Sequence, residues 1–215
     1  MSSGNRLRWE RAREKTRVAI IEAASQAFEA TGYDDTCMNR IAQIAGYTKA
    51  TVYSHFRDKP RLFAAIMEFH ASKFPLIALP SMPLLTLKET LAYVALEIQK
   101  LGKVSACRRY CATIRRSGSG MGFYVELWAA YLAPCWEFVH AALVRERVEL
   151  TKHHADLYLQ LILQANSLQI GLSAEPNAQA TLDLFQRAFS DRTSLNGGLY
   201  DDAGSPCGSG SSTMQ

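Results

Sequence analysis

Gly46 separates two stretches that are each too short to hold as isolated helices. Residues 37–45 read as one short helix with Ile41, Ala42 and Ala45 facing inward. Thr48 is a good N-cap for a second helix over 49–55. That second stretch exposes Lys49, Thr51, Tyr53 and His55, side chains that hydrogen-bond phosphates and base edges. So short a polar helix folds only when something braces it. Two short helices joined by a glycine turn make a helix-turn-helix, whose second helix enters the major groove of DNA.

The charge distribution agrees with this. Residues 1–61 hold eleven Lys/Arg against seven Asp/Glu, whereas 62–215 hold thirteen of each. The whole net charge of +4 therefore sits on the first segment, a basic module on a neutral body, which suits a polyanion at one end. With 48% hydrophobic residues and a mean hydropathy of -0.09, the 215-residue chain can bury a sizeable core. No run of about 18 apolar residues and no secretory pattern occurs, so neither a membrane span nor export is expected. The five cysteines are odd in number and widely spaced, unlike a disulfide framework, and a reducing cytoplasm is expected.

Along the chain, residues 1–9 read as a flexible basic arm and 10–31 as a first helix, stopped by Gly32. Asp58 and Pro60 start a fourth helix that should run to about Phe74, before Pro75. Thr86-Leu87-Lys88-Glu89 is a capping-box pattern, followed by a helix of about four turns. Further helices are expected near 104–116, over 121–150 with a bend at Pro134, over 152–171, and over 177–190. The 152–171 stretch is apolar nearly all round, so it should be buried on two sides. Residues 191–215 are rich in Gly, Ser and Asp and read as a disordered tail. No strand and no repeat is evident.

The order Gly32-Tyr33, Thr36, Ile41-Ala42, Ala45-Gly46, Thr48-Lys49-Ala50-Thr51-Val52-Tyr53, His55-Phe56, Lys59 and Leu62 resembles the N-terminal domain of the TetR/AcrR family of bacterial repressors. The match covers roughly residues 11–65. The resemblance implies an all-α protein: a three-helix DNA-binding domain at 1–58, then a helical-bundle effector-binding and dimerisation domain at 59–190. It implies that Thr48 caps the recognition helix and that Lys49, Ala50 and Thr51 stand where the family reads bases. Tyr53 and His55 stand where it grips the backbone, and Lys59 where a lysine meets a phosphate. Asn39 and Arg40 stand near supplementary contacts, while Val52 and Phe56 match the inward anchors. Cys37 departs from the usual Ser or Thr cap, so either Thr36 caps one residue earlier or this helix start is weakly held. Tyr47 replaces a smaller aliphatic; it either packs on the core edge or points its hydroxyl at DNA.

In the body, Tyr93, Tyr110, Ile114, Phe123, Leu127, Trp128 and Tyr131 form an expected effector pocket, with plain core as the alternative for each. Leu157, Leu161, Leu168, Leu182, Phe185 and Phe189 are the expected dimer face, two helices from each chain. Cys107 and Cys111 lie one turn apart and read as buried structural thiols, with a redox or metal sensor as the rival. His153 and His154 read as surface. No metal site, cofactor or catalytic motif is expected, so the chain is not read as an enzyme. The expected partners are an operator duplex, a second copy of the chain and an unidentified small-molecule effector whose binding moves the fourth helix and releases the DNA. The rival from another class is a helical partner-binding protein, or an enzyme, with no DNA role.

Overall fold

The computed structural model describes residues 3–80, 85–118 and 120–170. Among them are eight helices and no strand: α1 Ser3–Thr31, α2 Met38–Ala45, α3 Lys49–His55, α4 Lys59–Ala71, α5 Leu87–Lys103, α6 Ser105–Arg116, α7 Gly122–Arg145 and α8 Thr151–Ala165. The expected helix over 177–190, its Leu182, Phe185 and Phe189, and the tail from 191 lie outside the described residues.

α1 begins earlier than expected. The segment read as a flexible arm is helical from Ser3. No Gly or Pro interrupts residues 5–31, most of the early residues are good helix formers, and Arg6 pairs with Glu10 one turn on at 3.1 Å. Its buried stripe is Ile20, Ile21, Ala24, Ala27 and Phe28, which packs against α2, α4 and α6. Gly32 ends α1 at φ +87, a left-handed turn that suits glycine. A Cβ at Gly32 would stand 2.5 Å from the carbonyl oxygen of Arg116, so α1 and α6 meet there with no room for a methyl group.

α4 takes its cap from Asp58, whose carboxylate accepts from the Arg61 N–H at 2.8 Å, with Pro60 in the first turn. It stops at Ala71, three residues short of the expected end. Thr86 and Glu89 form the reciprocal capping box of α5, and these bonds hold the Glu89 carboxyl below its ordinary value. α7 contains Pro134 and is, by length and composition, apolar enough to cross a membrane. Its Trp128, Leu132, Cys135, Val139 and Leu143 are nevertheless buried, and α7 packs between α5 and α8, as a core helix does.

α8 ends at Ala165 rather than near 171, and the chain turns through Asn166 and Ser167. Leu157 and Leu168 are already covered inside the chain, at 5% and 0% exposure, so of the three described dimer candidates only Leu161, at 43%, faces out. The helix is not apolar all round, because Lys152, His153, Asp156, Gln160 and Gln164 break its outer face. His153 is exposed as expected. His154 is not: it is 2% exposed, and neither ring nitrogen has a hydrogen-bond partner.

Candidate nucleic-acid interface

The turn between α2 and α3 is built by local chemistry. Gly46 sits at φ 71, where glycine carries no Cβ penalty, and its N–H bonds back to the carbonyls of Ala42 and Gln43. Tyr47 N–H adds a bond to Ala42 at 3.0 Å. The Thr48 hydroxyl oxygen then accepts from the Thr51 N–H at 3.2 Å, and the two hydroxyls lie 2.9 Å apart. α3 therefore starts with a satisfied cap. Val52 at 0% and Phe56 at 5% exposure pin it to the core. Arg17 of α1 lies over the Phe56 ring at 5.7 Å, closing that anchor from outside.

With Val52 and Phe56 turned in, Lys49, Ala50, Tyr53 and Ser54 are exposed along α3, while Thr51 and His55 are half-buried. Lys49 Nζ lies 5.7 Å above the Tyr53 ring, so cation and phenol form one ridge. Asn39 and Arg40 are exposed on α2. His55 is held below its ordinary pKa by burial first, then by repulsion from Arg13 and Arg17, with Glu14 opposing. Its imidazole is thus biased to the neutral form, which donates one hydrogen bond and adds no charge.

Lys59 stands apart from this ridge. Its Nζ donates to the carbonyls of Tyr33 at 2.8 Å, Thr36 at 3.1 Å and Asp34 at 3.4 Å. It also lies 4.3 Å over the Tyr33 ring. All three ammonium protons meet backbone oxygens, so in this geometry Lys59 closes the loop between α1 and α2 instead of offering its charge to a phosphate. Nothing in the sequence marks this, because the three carbonyls are brought in by the turn after Gly32.

The start of α2 is the weak point. Cys37 has the extended backbone of an N-cap, φ -116 and ψ 155, but makes no side-chain cap bond. Thr36 does not cap α2 either. It is 1% exposed and its hydroxyl donates to the Gly32 carbonyl at 2.6 Å. Exposed Cys37 replaced by serine should gain the missing oxygen acceptor and stabilise the fold by about 0.5–2 kcal/mol. A thermal melt of Cys37→Ser that shows no rise contradicts this account of the cap. Tyr47 is half-buried and packs on the core edge.

In the body, the expected pocket residues divide. Tyr110 and Trp128, both buried, surround Phe74 together with Tyr131, with ring centroids 5.1, 5.3 and 4.8 Å from it. The hydroxyls of Tyr110, Tyr131 and Tyr93 donate to the carbonyls of Tyr124, Pro75 and Ala78. Ile114 is 5% exposed, in the same core. Phe123 at 69% and Leu127 at 41% exposure point outward, because α7 presents their side of the helix to solvent. The apolar space lies elsewhere, as a half-open groove of about 310 Å³ between α7 and α8. Trp128, Leu132, Trp136, Leu159 and Leu163 line it, with Glu137 and Asp156 at its polar side. Trp128 is the single expected pocket residue that reaches this groove, and its buried Nε1 has no partner.

Residues 20–66 match the family model described as bacterial regulatory proteins, tetR family. The N-terminal module is a TetR-family domain. The chain is similar to the HTH-type transcriptional regulator AcrR of Shigella flexneri, 34% identical over 87 residues that cover 38% of this chain and 40% of that one. It thus matches about two fifths of that relative's length. Among solved structures, a TetR-like transcriptional regulator from Rhodococcus aligns at a TM-score of 0.53 and 20% identity, over 84% of this chain and 96% of that one. The structure of AibR in complex with isovaleryl coenzyme A and operator DNA aligns at 0.50 and 19%, over 80% and 97%. These likenesses carry the TetR fold, an N-terminal helix-turn-helix before a helical body, across most of the chain. The TetR family comprises transcriptional regulators, not enzymes.

Proposed function

We propose that the chain is a ligand-responsive repressor that binds a palindromic operator as a homodimer in the cytoplasm. The observation that carries this is the ridge of Lys49, Ala50 and Tyr53 on a capped α3 pinned by Val52 and Phe56. In this reading residues 1–58 read DNA. Lys49, Ala50 and Thr51 face base edges, Tyr53 and His55 hold the backbone, and Asn39 and Arg40 add contacts from α2. Thr48 shapes the helix start, and Lys59 acts by fixing the loop before α2. Residues 59–190 form the effector and dimerisation domain, and two copies place their recognition helices in successive major grooves, about one helical turn apart.

The effector enters the groove between α7 and α8. Trp128 supports this: it lines the groove, and its ring packs 5.3 Å from Phe74, just past the end of α4. A ligand that shifts Trp128 therefore presses on α4, whose first residue, Lys59, holds the loop ahead of the reading head. A coupling of about 1–3 kcal/mol lowers operator affinity roughly 5–150-fold.

Burial weighs against the thiol-sensor rival. Cys107 and Cys111 are both 0% exposed, and burial pushes Cys107 up to about 11 and Cys111 higher still, so neither is a ready thiolate. Among the described residues no three His, Cys, Asp or Glu side chains converge as a metal site.

The test is enrichment of bound duplexes from a random pool, followed by binding of Lys49→Ala combined with Tyr53→Ala. A single dominant palindromic sequence is expected, with affinity that falls steeply as salt rises. The double variant should lose about 10²-fold, from one base-edge and one backbone contact per half-site. A parent protein that enriches no duplex, or that is stably monomeric by light scattering, overturns the proposal.

A further inference from the structure

We infer that the N-terminal extension of α1 is a second DNA-binding element, which grips the sugar-phosphate backbone flanking the bases read by α3. This rests on the DNA-binding reading above.

Every residue from Gly4 to Lys15 is exposed, while the buried stripe of α1 begins only at Ile20. About 18 Å of helix therefore projects beyond the core it belongs to, at 1.5 Å per residue. A free helix of this length is marginal in water. What it carries is charge: Arg6, Arg8, Arg11, Arg13 and Lys15 against Glu10 and Glu14. It also exposes Trp9 at 61% and Leu7 at 54%, large apolar surfaces that the described residues leave uncovered.

One face of this extension continues directly into the candidate interface. Trp9, Ala12, Arg13 and Thr16 of α1 share a groove with Tyr47, Thr51, Ser54 and His55. Its volume is about 550 Å³, and it opens beside the recognition helix. Arg13 lies over the Trp9 ring at 5.4 Å. Burial first, and then Arg13 and Arg17, hold His55 below its ordinary pKa, so these arginines stand close to the recognition helix. The groove wall thus offers a guanidinium and a flat indole, while the Thr16 and Ser54 hydroxyls donate to the Ala12 and Thr51 carbonyls of their own helices.

That set suits a nucleic-acid backbone. A guanidinium binds phosphate oxygens, and an indole packs on deoxyribose. An acidic protein surface would use the arginines but would not need the groove to open on α3. Phosphates along one strand are spaced about 3.4 Å apart, so the projecting helix reaches at most about five phosphates further per half-site. Arg13 and Trp9 sit nearest the core contacts, with Arg6 one to two turns further out along the same face.

The experiment compares two duplexes for the full-length protein: the enriched operator trimmed to its palindrome, and the same operator with about six extra base pairs at each end. Affinity is measured across a salt series for the parent, Arg6→Ala with Arg13→Ala, and Arg6→Lys with Arg13→Lys. Alanine is the best helix former, so α1 keeps its propensity in the variant. The parent should bind the long duplex at least tenfold tighter. The alanine variant should lose that gain, with its log-log salt slope reduced by about two per half-site. The lysine variant should recover most of the slope. Equal affinity of the parent for both duplexes, or an alanine variant weakened equally on both, overturns the inference while the recognition-helix reading stands. Failure of the parent to bind either duplex removes both.

Discussion

Phe56→Ala is expected to destabilise the protein by about 3–5 kcal/mol, the cost of emptying a fully buried aromatic site. Phe56 is 5% exposed and sits at the C-cap of α3, where its N–H bonds the Val52 carbonyl at 2.9 Å. α3 has too few residues to persist without its anchors. The loss therefore falls first on the segment that carries Lys49 and Tyr53. Against a total stability of about 5–15 kcal/mol for a domain, this change alone consumes a large share. A urea titration should show a lower midpoint, and DNA affinity should fall even at temperatures where the helical body stays folded. A variant with an unchanged midpoint contradicts the role given to this side chain.

Acid should destabilise the protein through His70. This residue is 3% exposed, and its Nε2 lies 2.9 Å from the Ser25 hydroxyl, which also bonds Glu29 at 3.2 Å. Burial, then Arg109 and Lys73, lower its pKa to about 4 from an ordinary 6.5. The folded state thus resists the proton that the unfolded chain accepts. Stability is complete above about pH 6.5 and is lost as the pH falls toward 4. The loss is on the order of 2 kcal/mol by pH 5 and about 3 kcal/mol by pH 4. Denaturation midpoints of the parent and His70→Gln at pH 7 and pH 5 check this. The parent should drop by the larger amount, because glutamine cannot take up the proton. Parallel drops in both proteins would assign the acid sensitivity to carboxylates instead. The contact ties α1 to α4, so the same titration loosens the reading head from the helix behind it.

The sequence was most informative where a residue acts on its own neighbours. Gly46, Thr48, Asp58 and the Thr86/Glu89 pair each work within four residues, and each stands in the structure where its chemistry placed it. Long-range partners were hidden. Phe74 was read only as the end of α4, yet it fills the space among Tyr110, Trp128 and Tyr131. That packing fills the space among those rings, and Trp128 also lines the groove between α7 and α8. The loop-closing bonds of Lys59 were hidden for the same reason, since its three carbonyl acceptors lie more than twenty residues away in sequence. His154 looked like surface because it stands at the start of a helix, but it is on the inward side of α8. The helical start of α1 was legible in principle: the absence of Gly and Pro after Gly4 and the Arg6–Glu10 spacing were both visible.

Between the end of α1 and the end of α6 only the hydrogens of Gly32 face the Arg116 carbonyl. That approach leaves no room for a side chain at position 32. Arg116 also reaches back to the Ala30 carbonyl at 3.4 Å, and Arg109 to Glu29 at 3.8 Å. The ends of α1 and α6 are therefore tied by a backbone approach and by two arginines, and from that junction α1 runs back to the arginine-rich stretch beside the recognition helix.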